Sequence, residues 1–264
     1  FGVKLLTRTI TGPSPTPAGL VFLEEARTML RRLEELKRTL REIDRNAPKT
    51  LRLGMPASLT GILASRLLER LRHAMPELTL KIVEDPSHTL VEHVQSGKLD
   101  IALAFGVPSN RLLHSEPRLR ETLYLIAGAG SRRDPAGPVQ LRDLAEFDLT
   151  MPEEGDVVRQ LVDETLRAHG LPLRVAYPVD SMPAMKDVVA RGLACAVLPY
   201  SAVAREVEAG VLVARPIIEP AITRTLFIVR PGGVDPGETS RQLVDVIGDL
   251  LRELCRESTA FEIL

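Results

Sequence analysis

The chain has 264 residues, 34 of them basic and 35 acidic, so no overall positive field draws it to nucleic acid and any such contact is local. Two cysteines give no disulfide framework and fit a reducing, cytoplasmic setting, and aromatics at 3% argue against a surface that stacks bases or sugars. No run of about eighteen apolar residues and no charged-then-apolar leader is present, so nothing in the sequence signals membrane insertion or export.

Phe1 to Pro15 reads as the end of a larger unit. It opens mid-pattern without a capping residue, and Lys4, Arg8 and the stretch from Thr9 to Pro15 suggest a short hairpin too small to fold alone. Thr16 to Asn46 then reads as one long helix. Thr16 is a good N-cap and Pro17 suits the first helical position. Leu23, Ala26, Leu30, Leu33, Leu36, Leu40 and Ile43 recur in steps of three and four, a coiled-coil-like seam with one step out of phase. Other faces are charged, with Glu34, Arg38 and Glu42 at supportive four-residue spacing. Such a helix runs roughly 45 Å at 1.5 Å per residue, too long for one small domain. The expected partner of the seam (Leu23, Leu30, Leu33, Leu40) is a second copy, giving a homodimer or homotetramer.

From Thr50 the pattern becomes α/β. Strands are expected at Leu51–Met55, Leu78–Val83 and Asp100–Phe105, with helices from Leu59 to about Met75 and from Ser87 to Ser96. Two further strands are expected at Leu112–Glu116 and Thr122–Ala127. After a Gly/Pro/Arg-rich loop from Gly128 to Pro138, a second cycle follows: strand Phe147–Met151, helix Gly155–His169, strand Arg174–Asp180, helix Ser181–Arg191 and strand Leu193–Leu198. Strands Leu212–Pro216 and Thr225–Val229 and a helix from about Glu238 to Leu254 complete it. Short apolar strands alternating with helices argue for a parallel sheet covered on both faces, in two lobes.

Three segments together resemble the LysR-type bacterial transcriptional regulators. They are Gly2 to Arg8 with Thr16-Pro17-Ala18-Gly19; Pro76 to Glu84 with Ser96 to Ala102; and Arg191 to Pro199. The resemblance implies a winged helix-turn-helix, a dimerising linker helix and an effector-binding region of two Rossmann-like lobes similar to the type 2 periplasmic binding-protein fold. Residues 1–15 would be the wing remnant, 16–46 the linker, 50–124 with 226–264 the first lobe and 125–225 the second. The helix-turn-helix itself would lie before Phe1. Thr11 stands where the family often has arginine, and Pro13 and Pro15 replace apolar residues. Major-groove reading belongs to a recognition helix, so this chain alone is expected to touch DNA only through phosphates, at Lys4, Arg8 and Thr11.

Ligands in open α/β sheets sit beyond the carboxyl ends of strands. Those positions here are Ser58, Leu59 and Thr60; Ser87; Phe105 and Gly106; Met151 to Val157; Ser181 and Met182; and Pro199. Serines at helix starts favour an anionic or carbonyl group. The resemblance implies Ser58, Thr60, Ser87 and Ser181 as polar anchors, with Phe105, Met151 and Met182 as apolar walls, and a small-molecule effector, an organic anion, in the interlobe cleft. The alternative for each serine is a plain helix cap.

Other chemistry is poorly supported. The five histidines are scattered, His88 and His93 are five apart rather than four, and neither a metal nor a cofactor is expected. Cys195 reads as an inert core thiol and Cys255 as lying near a frayed end. Asp180-Ser181 and Glu153-Glu154 come nearest to catalytic groups but lack a histidine or glycine elbow. A ligand-responsive transcription regulator is the leading expectation and a solute-binding carrier of the same fold the alternative.

Overall fold

The computed structural model describes residues 1–9, 12–43, 49–108, 110–233 and 235–264. Thr11, Asn46 and Pro48 lie outside the described residues, as do the side chains of Glu34, Arg38, Leu40 and Glu42.

The chain begins with an antiparallel hairpin, β1 (Leu6–Thr9) and β2 (Gly12–Pro15), and runs directly into α1 (Pro17–Ile43). Thr16 caps that helix as its sequence suggests, its Oγ1 accepting from Gly19 N at 3.0 Å. The same hydroxyl donates to Lys4 O at 2.7 Å, and Thr16 N donates to Leu5 O at 3.0 Å. Phe1 packs edge-on against Phe22 with ring centroids 5.1 Å apart. The hairpin is thus strapped to the first turns of α1. Beyond them Leu23, Met29, Leu30, Leu33 and Leu36 stay exposed.

The α/β region contains β3 (Lys49–Met55), α2 (Ala57–Ala74), β4 (Leu78–Glu84), α3 (Ser87–Gln95), β5 (Ile101–Phe105) and β6 (Leu113–Gly128). Then come β7 (Val139–Gln140), a 3-10 turn at Leu141–Glu146, β8 (Leu149–Met151), α4 (Val157–Ala168), β9 (Val175–Pro178), α5 (Met182–Ala190) and β10 (Cys195–Pro199). It closes with α6 (Tyr200–Glu208), β11 (Leu212–Ile218), β12 (Thr223–Pro231), α7 (Gly237–Glu257) and β13 (Phe261–Ile263).

The sheet is mixed rather than parallel. β4, β3 and β5 run parallel, as do β10, β8 and β9, but β12 and β6 are antiparallel to their neighbours. The two strands expected at Leu112–Glu116 and Thr122–Ala127 are one. Its first part pairs with β12, and its last part, from Leu123, pairs with β10 and β11. A register shift opposite Leu226 and Phe227 takes up the irregularity at Pro117 and lets the strand continue. Two helical cores result. One gathers Leu53, Leu59, Leu67, Leu119, Ile228 and Leu251 beneath α2 and α7; the other gathers Leu125, Leu149, Val162 and Val197 beneath α4. Smaller clusters under α3 and α5 cover the opposite sheet faces. β6 runs through both halves, and the chain returns once more from β11 to β12.

Cys255 is not at a frayed end. It lies within α7, half-buried against the first core, and β13 follows it. Among the described residues no helix is long and apolar enough to cross a membrane, and no group of three His, Cys, Asp or Glu side chains is placed to hold a metal.

Candidate functional site

The sheet halves share β6, and the residue just beyond β5 meets the start of α4, the helix that follows β8. Gly106, just beyond β5, has φ +62°, and a Cβ built there would lie 3.4 Å from a methyl of Val157 at the start of α4. Val157 in turn packs against the first core. Gly106 and Val157 are therefore brought together across the junction.

The serines take different parts. Ser58 is not a cap: Pro56 holds that position and offers no side chain, while Leu59 N and Thr60 N donate to Pro56 O at 2.9 and 3.0 Å. The amides of Ala57 and Ser58 have no acceptor among the described residues. No acidic side chain of the helix itself occupies that first turn. Thr60 turns its hydroxyl back to Pro56 O at 3.2 Å. Ser87 Oγ is occupied, accepting from Phe105 N at 3.1 Å and tying α3 to β5. Ser181 does cap α5, accepting from Ala184 N at 3.5 Å, and Asp156 caps α4 through Val158 N and Arg159 N. Asp180 accepts from Glu153 N at 2.8 Å, a structural tie rather than a catalytic arrangement.

Leu59 and two of the three expected apolar walls, Phe105 and Met151, are closed inside the cores with almost no surface open to solvent. Met182 is partly buried against the cluster under α5, and Pro199 ends β10 as the N-cap of α6.

The centre of the junction is a buried polar network. Glu121 of β6 is fully buried and Arg224 of β12 has only 7% of its side chain exposed. Arg224 Nε and Nη2 donate to Glu121 Oε2 at 2.9 and 2.7 Å. Nη2 also reaches Ser58 Oγ at 3.0 Å and Ser201 Oγ at 3.5 Å, and Ser201 N donates to Glu121 Oε1 at 3.0 Å. The guanidinium carbon lies 3.5 Å from the centre of the Phe105 ring, a desolvated cation–π contact. Tyr124 and Tyr200 pack beside it with centroids 5.9 Å apart. Burial raises the Tyr124 phenol above its usual pKa, with Tyr200 and Glu121 adding to the rise.

Sequence reading missed Glu121, Arg224, Ser201 and the two tyrosines. The available signal was an acidic and a basic residue each just before an apolar run, residues 123–127 and 226–229. Placing a turn after Glu116 hid it.

Two surface depressions lie away from this centre. One, about 620 Å³ between α2 and α7, is paved by Arg66–Glu257 and Arg70–Glu253 ion pairs at 2.7 and 2.8 Å, so those charges already satisfy each other. The other, about 590 Å³, lies beside the end of β8 and is lined by Glu153, Glu154 and Arg159.

The family model of the LysR substrate binding domain matches residues 45–252. The chain belongs to the LysR-type transcriptional regulators. It is 28% identical over 257 residues to the HTH-type transcriptional regulator BbuR of Bordetella bronchiseptica, covering 97% of this chain and 79% of that protein. It is 27% identical over 253 residues to the hydrogen peroxide-inducible genes activator of Pectobacterium carotovorum subsp. carotovorum, covering 96% and 82%. Full-length OxyR of Pseudomonas aeruginosa, solved as a cysteine variant, superposes with a TM-score of 0.70 at 22% identity, covering 93% of this chain and 80% of that one. This LysR-type regulator therefore carries the family's two-lobed effector-binding fold. The relatives are transcription regulators rather than enzymes, and the regulator reading displaces the solute carrier.

Proposed function

We propose that this chain senses a small organic anion held between its lobes and passes that state to a second copy through α1. The observation that carries the first half is the α2 N-terminus: two unpaired amides and the Ser58 hydroxyl converge at the junction of the cores, the first turn carries no acidic side chain, and the one carboxylate beside it, Glu121, is already neutralised by Arg224. Helix N-termini of this kind favour anions. Around it we place Ser58, Thr60, Gly106, Val157 and Met182 as the contacting residues. Leu59, Phe105 and Met151 support them from the cores, and Ser87 and Ser181 hold α3 and α5. The lobe boundaries that fit are 50–124 with 226–264 and 125–225.

The exposed stripe from Leu23 to Leu36 supports the second half, since an apolar face of that length on a charged helix is stabilised by burial against a like helix. In the intact regulator the hairpin, with Lys4 and Arg8 exposed, sits beside DNA and supplies position-independent phosphate contacts. A ligand shifts such an assembly only through its different affinities for two lobe settings.

Peroxide chemistry at a thiolate suits this chain poorly. Burial pushes the Cys195 thiol up to about 11, with Arg133 only partly opposing it, so the reactive thiolate is scarce at neutral pH. A thermal-shift screen of small organic acids tests the reading, because a ligand of the folded state raises the midpoint. Stabilisation by an acid, reduced in Ser58→Ala, supports it. Stabilisation by cationic compounds alone contradicts it.

A further inference from the structure

One nitrogen at the junction faces more acceptors than it has hydrogens. Arg224 Nη2 carries two N–H groups, and three oxygens lie within reach: Glu121 Oε2 at 2.7 Å, Ser58 Oγ at 3.0 Å and Ser201 Oγ at 3.5 Å. The charge-assisted bond to Glu121 is the strongest and takes one hydrogen. The second has two claimants, and in this structure Ser58 holds it. Ser58 rides on α2, whose apolar face belongs to the first core. Ser201 rides on α6, which packs with α5 on the second sheet half and also lies directly against α2.

We infer that Arg224 is a two-position latch, its last hydrogen passing between Ser58 of one lobe and Ser201 of the other as the lobes change setting. The exchange needs a displacement of only about half an ångström to reverse the order of the two distances, since hydrogen bonds weaken steeply beyond their usual length. Glu121 is fully buried, and Ser58 and Ser201 are 7% and 4% exposed, so water is a poor substitute for a lost partner. A shared donor in a dry site favours one bond or the other over a continuum between them. The latch also bears on the proposed effector site, on whose reading this coupling rests. An anion that accepts the Ser58 hydroxyl hydrogen makes Ser58 Oγ a better acceptor for Arg224 and draws the latch toward α2.

The test is a double-mutant cycle on the ligand-free chain, read by urea denaturation midpoints for Ser58→Ala, Ser201→Ala and the pair. A latch makes the serines mutual substitutes: each single shift is small, and the shift of the pair exceeds their sum. Hydrogen exchange gives a second readout, with Ser58→Ala slowing exchange in the first turn of α6 and Ser201→Ala slowing it in the first turn of α2. Additive midpoint shifts, or each substitution loosening only its own helix, would overturn the latch. Neither ligand nor DNA enters these measurements. Their failure would leave the sensing role standing, and a fruitless ligand screen would leave the latch standing.

Discussion

Glu121 and Arg224 stand directly opposite each other in the pairing of β6 with β12, where β6 leaves one half of the sheet for the other, and both side chains are buried. Removing one partner strands a charge, so we expect Glu121→Ala to destabilise the chain by about 3–5 kcal/mol. Replacing the pair together, Glu121→Leu with Arg224→Met, should recover most of that loss. Urea denaturation of the three proteins checks this. Equal losses for single and double variants would mean that the pair stabilises the fold through more than mutual neutralisation.

Much of the fold is legible in the sequence because its signals are local. Thr16 and Pro17 announce the start of α1, and alternating apolar runs announce the strands and helices. Pairing direction is not local, and so the sequence pattern alone points to a parallel sheet where β6 and β12 are in fact antiparallel. Pro199 reads as a stop after β10, yet a proline is equally suited to begin a helix, and α6 starts there. The same limit governs the site. Strand ends identified Ser58 and Ser87 as positions, but their partners, Arg224 and Phe105, stand 166 and 18 residues away. Whether a serine caps, ties or anchors is decided by such partners.

The exposed leucines of α1 give a direct expectation for assembly. Leu30→Glu with Leu33→Glu places like charges on the apolar stripe and should shift sedimentation from dimer or tetramer toward monomer. An unchanged sedimentation coefficient would place the interface elsewhere.

Gly19 sits beneath the hairpin. A Cβ at this position would come within 1.9 Å of Leu5 O, a rigid backbone atom. We expect Gly19→Ala to lift the hairpin from α1 and expose residues 1–15 to limited proteolysis at least several-fold faster, with the α/β region intact. Unchanged cleavage would show that the close approach is dispensable.

Cys195 has a testable acid–base signature. Its thiol stays protonated to about 11 in the fold against 9.0 when exposed, so the unfolded chain loses its proton first and this contribution to stability falls as pH rises from 9 toward 11. At pH 8 we expect alkylation of the folded chain to label Cys255 before Cys195. Rapid labelling of Cys195 would contradict the buried, inert thiol.

The role of the α2 N-terminus is settled most directly by a crystal structure of this chain with an acid recovered from the thermal-shift screen. We expect the anionic group on the amides of Ala57 and Ser58, with the Ser58 hydroxyl turned toward it. Density for the acid in the groove between α2 and α7, with that helix start unoccupied, would contradict the proposed sensing site.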